Sequence, residues 1–335
     1  AVGRDLYVYV IKKERLLQRK EPFCIDSLKN KESETKGTAF ELLCICLLST
    51  DYIYRNLLKN VWHESDCPEE IYTKKLHLLR PEIGVDIICE DINGKFWAVQ
   101  CKYRFPEQEN LTYDEVSSFF DVTGRAKTKK HLSNRLLITS TLDLSDRINQ
   151  VHDDFNCINF GRLSELEKND FDNYRSFLDE KFKPIDIKQR FTPKPHQRDA
   201  IDDIKKDLLI NQRSQAIMAC GSGKTLVALW VKEEMNYEQV LVLVPSLNLA
   251  SQIIKEWFRH KKNNFDAICI CSDNSVTKRD NDEEEDNWMN YASEIEIPVK
   301  NQITDIQNFL KNNTPKVVFC TYQSSPLIAK AMKDK

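Results

Sequence analysis

Three polar side chains interrupt an otherwise apolar stretch, "GVDIICEDINGKFWAVQCKYR" at residues 84–104: Asp86, Gln100 and Lys102. An acid, an amide and an amine suit phosphodiester hydrolysis. The carboxylate can hold Mg²⁺, which polarises a phosphate and lowers the pKa of a bound water. The amine can steady that water or the negative charge that grows in the transition state. The competing reading is a structural Asp86–Lys102 ion pair, because buried polar groups are costly unless paired or metal-bound. Register decides whether the three converge. Side chains alternate faces along a strand. Phe96, Ala98, Gln100 and Lys102 therefore share one face of "FWAVQCKY", and Trp97, Val99, Cys101 and Tyr103 the other. A two-residue Asn93-Gly94 loop sets Asp86 opposite Cys101. A three-residue loop, Ile92-Asn93-Gly94, sets it opposite Gln100, with Gly94 in the left-handed position after a type I turn. The three-residue loop is the expectation, and one slipped residue scatters the cluster.

Glu41 is a fourth candidate, as the only charge in "AFELLCICLL". It can point at the same cation. It can equally be the last member of a capping box, Thr38-x-x-Glu41, and both roles stay open.

The elements that must position these residues read as follows. "GTAFELLCICLLSTDYIYRNLL" is a helix apolar nearly all round, hence buried. The hairpin at 84–103 follows, then a helical segment from Asp114 to Val122, and strands at 135–141 and 155–160. "LSELEKNDFDNYRSFLDEKF" closes this half as one or two helices. The expected organisation is a helical extension over 1–36, a first domain over 37–182, a linker over 183–192 and a second domain over 193–335. "KPIDIKQRFTPKP" holds three prolines and little apolar periodicity, which marks the linker. Beyond it, "SQAIMA", "QVLVLV", "DAICIC" and "KVVFC" read as fully buried strands separated by helices, the pattern of a parallel sheet. Residues 273–300 are polar and acidic and read as a surface excursion.

The second half carries its own chemistry in "MACGSGKTLVALW". Gly221 and Gly223 let the backbone of Ala219, Cys220, Gly221, Ser222 and Gly223 fold its N–H groups around a phosphate, in front of a helix N-terminus. Lys224 would reach the terminal phosphates of ATP, and Thr225 its Mg²⁺. Met218 stands where the strict phosphate-loop pattern has its first Gly.

Bulk properties bound the answer. A chain of 335 residues suggests about two domains. Hydrophobic residues at 41% and charged residues at 30% let each domain build a core. A net charge of −3 argues against a generally basic nucleic-acid binder, so any such contact must be local. "GRAKTKKHLSNR" supplies a basic block of Arg125, Lys127, Lys129, Lys130 and Arg135, and residues 279–287 an acidic one. Each is also readable as a solvated loop. No run of about 18 uncharged apolar residues and no signal-peptide pattern occurs, and the 11 cysteines show no zinc spacing. The expectation is a cytoplasmic protein with reduced thiols.

Two resemblances emerge from these motifs. "ACGSGKT" at Ala219–Thr225 resembles the form used by superfamily 2 helicases and translocases. "FTPKPHQRDAIDDI" resembles their adenine-reading segment, with Gln197 as the amide that donates and accepts at once. "VLVPSLNLASQ" resembles the motif that contacts the nucleic-acid backbone, implying Pro245, Ser246 and Gln252. "VVFCTYQSS" resembles the next one, implying Thr321 and Ser324. The family then needs an Asp-Glu pair on a buried strand, which this sequence does not reach. The expectation is that this chain binds ATP and does not hydrolyse it usefully.

The first half resembles the PD-(D/E)xK nucleases in their Mrr-like branch. The branch's helical acid, strand Asp and Q-x-K fall on Glu41, Asp86, Gln100 and Lys102. Gln100 departs from the superfamily's commoner carboxylate and weakens one metal ligand. The resemblance implies an α/β chain: a restriction-endonuclease-like α/β/α domain followed by a RecA-like P-loop domain. The order, nuclease then translocase, resembles ATP-dependent restriction enzymes of type ISP and the motor subunits of type I. It implies a Mg²⁺-dependent endonuclease on double-stranded DNA with a methyltransferase or specificity partner. The alternative is a remodelling helicase with an inactive, DNA-binding nuclease fold.

Overall fold

The computed structural model describes residues 33–80, 84–104, 110–152, 154–180, 192–271 and 294–333. The chain forms two compact units, Ala1–Pro184 with Ser293–Pro298, and Ile185–Ala292 with Val299–Lys335. Most of the expected N-terminal extension and linker, and the acidic run at 279–287, lie outside the described residues.

In the first unit, α1 (Ser33–Thr50) is the expected buried helix, begun four residues early. A short α2 (Tyr54–Leu57) follows. The sheet has five strands in the order β1 (Leu58–His63), β2 (Ile87–Asp91), β3 (Phe96–Lys102), β4 (Leu132–Thr139) and β5 (Asn156–Ile158). β1, β2 and β3 pair antiparallel, while β3, β4 and β5 pair parallel. β1 has no counterpart in the sequence expectations. Helices α3 (Tyr113–Gly124), α4 (Ala126–Lys129), α5 (Asp146–Val151), α6 (Phe160–Leu163) and α7 (Lys168–Leu178) complete the unit.

β3 is buried on both faces. Trp97 lies on the α1 side, where Tyr54 meets its ring edge-on at 6.4 Å, and Phe40 meets Tyr103 at 5.8 Å. On the opposite face Phe96 and Ala98 join Ile88, Leu137 and the α3 residues Val116, Phe119 and Phe120 in one core. Each large apolar side chain so buried contributes about 1.5–3 kcal/mol. A helix–sheet–helix sandwich results, with β3 central. The far strand, β5, is covered from an unexpected source. The Asn156 side chain donates to Ile295 O (2.7 Å) and Ile297 O (2.9 Å), and both isoleucines are buried. These residues fall in the stretch read from sequence as a surface excursion. They belong to the first unit, to which the Asn156 amide ties them.

In the second unit, helices α8 (Pro195–Ile210), α9 (Lys224–Glu234), α10 (Leu247–His260), α11 (Ile303–Lys311) and α12 (Ser325–Lys333) surround a parallel sheet. Its strands are β6 (Gln239–Val244), β7 (Asp266–Ile270) and β8 (Lys316–Thr321), in the order β6-β8-β7. Three of the four apolar runs are thus strands, and β7 and β8 are buried as expected. "SQAIMA" corrects the expectation: residues 214–219 form no strand and Ile217 is 91% exposed. β6 is not fully buried either, since Leu241 and Leu243 are exposed. Apolar composition does not make a strand unless neighbouring backbone takes up its N–H and C=O groups. Residues 214–219 have no such neighbour among the described residues, and β6 has one on a single side. No described helix is long and apolar enough to cross a membrane.

Candidate active site

The β2–β3 ladder pairs Ile87 with Val99, Ile88 with Ala98, Cys89 with Trp97 and Glu90 with Phe96. This is the register argued from the sequence, and carried one step beyond the last paired residues it would set Asp86 opposite Gln100. Asp91 N donates to Lys95 O at 2.8 Å, leaving Ile92, Asn93 and Gly94 as the loop, and Gly94 has φ 73°. The Asp91 carboxylate fixes that loop by accepting from Asn93 N (2.9 Å) and Lys95 N (3.0 Å). An Asp that bonds backbone two residues on is a common way to set a turn.

Asp86 is held from both sides. Its N–H donates to Val99 O (2.9 Å), and its carbonyl accepts from Glu64 N (2.8 Å). Its carboxylate Oδ2 accepts from Cys101 N at 2.6 Å. Burial pushes this carboxyl up to about 6. The Cys101 bond opposes the shift, the Glu41 charge adds to it, and the Lys102 and His63 charges oppose it. Asp86 and Lys102 close no ion pair among the described residues, so the structural-pair reading loses its main support. Gln100 is 2% exposed and its Oε1 has no hydrogen-bond partner. A buried amide oxygen left bare is costly unless something absent from the protein satisfies it.

Glu41 proves not to be a capping residue. α1 starts at Ser33, so Thr38 lies inside the helix and no box can form there. The Glu41 carboxylate instead accepts from the ring of His63, with Oε2 3.1 Å from Nε2. His63 ends β1, and the sequence reading missed it with that strand. "LKNVWH" alternates weakly, and Lys59 and Asn60 hide its period.

Oxygen donors suit a hard cation such as Mg²⁺. Asp86 lies near enough to Glu41, Lys102 and His63 for their charges to act on its carboxyl, and the bare Gln100 oxygen is a further candidate donor. No three His, Cys, Asp or Glu side chains form a ready metal cage among the described residues.

The basic block divides. Arg125, Lys127, Lys129 and Lys130 are exposed around α4, with Lys129 3.0 Å from Asp154. Arg135 is buried, pairs with Asp154 and lies over the Phe120 ring at 5.1 Å. It is a core residue and leaves the patch.

In the second unit, Gly221 (φ 73°) and Gly223 (φ 84°) adopt the left-handed backbone expected before α9. Lys224 Nζ rests on Met218 O at 3.1 Å, and Ser222 Oγ on Ala219 O at 2.7 Å. Thr225 O accepts from Trp257 Nε1 (3.0 Å), which ties α9 to α10. Gln197 is buried against the loop. Its Oε1 accepts from Lys194 N and its Nε2 donates to Ser222 O, each at 2.8 Å. Pro245, Ser246 and Gln252 are exposed, and Ser246 Oγ caps α10 by accepting from Leu249 N. Thr321 and Ser324 are buried, at 0% and 3% exposure, and the Thr321 hydroxyl has no hydrogen-bond partner among the described residues. Thr321 closes the central strand β8, so the sheet covers it.

Comparison with known proteins agrees with this division. Residues 49–183 match the restriction endonuclease family Mrr_cat_2, and residues 190–334 match the family of the type III restriction enzyme res subunit, ResIII. Glu41 lies ahead of the first match. No curated protein matches the sequence. Among solved structures, the chain is similar to the ATP-dependent type ISP restriction-modification enzyme LlaBIII bound to DNA. That match has 23% identity and a TM-score of 0.66, over 92% of this chain and 19% of that one. A nuclease-deletion mutant of the type ISP enzyme LlaGI, in complex with a DNA substrate mimic, matches at 27% identity and a TM-score of 0.34, over 43% of this chain and 14% of that one. The chain thus spans about a fifth of the length of the first of these enzymes.

Proposed function

We propose that this chain, a restriction endonuclease domain followed by a ResIII-type helicase domain, is the cutting and ATP-binding portion of an ATP-dependent restriction enzyme acting on double-stranded DNA. The observation that carries the nuclease reading is the buried, unpartnered Gln100 oxygen on the strand opposite Asp86. Asp86, Gln100 and Glu41 would hold Mg²⁺, which supplies phosphate polarisation and an activated water when bound. Lys102 offsets the charge that develops on the phosphate. Asp86 must give up its proton to serve, and the positive charges around it favour that.

In the second unit the backbone from Ala219 to Gly223 would cradle the phosphates of ATP, Lys224, which rests on Met218 O, would meet their charge, and Thr225 would hold the nucleotide's Mg²⁺. Gln197 shapes the cradle through Ser222 and is the candidate adenine reader. Exposed Pro245, Ser246 and Gln252, and the block Arg125, Lys127, Lys129 and Lys130, supply contacts to the DNA backbone. Binding should then weaken steeply with salt. A methyltransferase or specificity partner and a cytoplasmic location belong to the same reading.

Plasmid nicking in Mg²⁺ or Mn²⁺ tests it. Lys102→Ala is expected to lose about 100-fold or more in rate, as for removal of one charge-stabilising donor. Equal rates in variant and wild type would leave the nuclease reading without support.

A further inference from the structure

We infer that His63 is a positioning residue of the nuclease site, orienting Glu41 toward the cation held by Asp86 and Gln100. The inference rests on the metal-dependent reading above. It begins with which ring nitrogen carries the proton. Ser65 N lies 3.2 Å from Nδ1, and a backbone N–H can only donate. Nδ1 is therefore an acceptor, and the neutral ring carries its proton on Nε2. Nε2 then donates to Glu41 Oε2 across 3.1 Å. Ser65 Oγ, 2.7 Å from Nδ1, adds a second contact from the same turn.

The ring is thus fixed at both nitrogens. One side is anchored in the turn after β1, whose first backbone N–H, from Glu64, also bonds Asp86 O. The other side grips one oxygen of Glu41, whose second oxygen makes no hydrogen bond among the described residues. A nitrogen that carries hydrogen has no lone pair to offer a metal, so His63 is no ligand in this arrangement. It constrains a ligand instead. α1 contributes a single acid to the site from the middle of a buried helix, and a glutamate has three side-chain torsions to fix. His63 ties that acid to the same turn that holds Asp86. Partners of this kind typically change metal affinity by 10–100-fold when removed.

Calorimetric titration of the full chain with Mn²⁺, without nucleotide or DNA, tests this. His63→Ala is expected to bind Mn²⁺ about 10–100-fold more weakly. His63→Gln keeps an Nε2 donor and is expected to stay within about threefold of wild type, which a ligand role would not allow. In plasmid nicking, the Mg²⁺ concentration for half-maximal rate should rise for His63→Ala while the rate at saturating Mg²⁺ changes little. Wild-type Mn²⁺ affinity in His63→Ala, or a His63→Gln as weak as His63→Ala, overturns the positioning role. Asp86→Asn separates the two levels. Loss of Mn²⁺ binding there, with none in His63→Ala, defeats this inference alone. Undiminished binding in Asp86→Asn defeats the metal site beneath it.

Discussion

Asp86 is half-buried beside apolar strands, and that burial pushes its carboxyl up to about 6. In an unfolded chain the same group titrates near 3.9. Between those values the unfolded state releases a proton that the folded state keeps. Stability is therefore full below about pH 4 and is lost as pH rises through 6. Two pKa units correspond to about 3 kcal/mol. Asp86→Asn removes the ionisation while keeping an oxygen to accept from Cys101 N. The expected outcome is a metal-free protein more stable at pH 7, by about 2–3 kcal/mol at most, and unable to cut. Denaturant unfolding in a chelator measures this, and the advantage should vanish near pH 4. A destabilised Asp86→Asn would mean that the carboxylate is a structural partner and not a strained functional group. Metal reverses the balance by favouring the ionised form, so cleavage by the wild type should rise between pH 5 and 7.

At the scale of elements, two devices place that carboxylate. Gly84 (φ 109°) lets the approach to β2 pass close to α3, where an added Cβ would meet Phe119 N at 2.7 Å and Ser118 Oγ at 2.9 Å. Gly84→Ala is expected to cost about 1–3 kcal/mol from backbone strain, with more from the contact, read from the denaturant midpoint. The second device is the loop. Inserting one residue between Asp86 and Ile87 keeps that loop and the ladder from Ile87 onward and moves Asp86 one step along, opposite Cys101, which should abolish cleavage while leaving the sheet paired. Retained cleavage in that insertion would count against register as the determinant. The loop was legible in the sequence because an Asn-Gly pair limits the turn types and the strand period is two. α1 was legible for its uninterrupted apolar character. What sequence could not supply was anything set by partners distant along the chain. β1 is polar enough to look like loop, and it is a strand because β2 offers it a ladder. "SQAIMA" is apolar enough to look like a strand, and it is not one because no described backbone pairs with it. Glu41 resembled a capping residue because the start of a helix within a charged segment is poorly marked. The 294–298 cover of β5 depends on Asn156, about 140 residues away in sequence, and no local pattern announces it.

At the scale of the whole molecule, each unit carries its own candidate site. The candidate nuclease residues come from α1, β1, the approach to β2, and β3. The nucleotide cradle comes from α8, α9 and the loop before α9. No residue belongs to both sets, and ground-state binding at each should therefore be independent. Lys224→Ala removes the amine now resting on Met218 O. It is expected to weaken ATP binding at least about tenfold while Mn²⁺ binding in the absence of nucleotide stays at the wild-type value. His63→Ala or Asp86→Asn should show the converse, with ATP affinity unchanged. Effects at independent sites add within about 0.3–0.5 kcal/mol, or roughly a factor of two in affinity. A larger cross-effect would be a coupling free energy between the units, and linkage requires it to appear with the same size in both directions. Measuring both crossings in one protein therefore checks the independence twice, because a one-sided effect signals a damaged fold and a reciprocal one signals communication between nucleotide and cutting site.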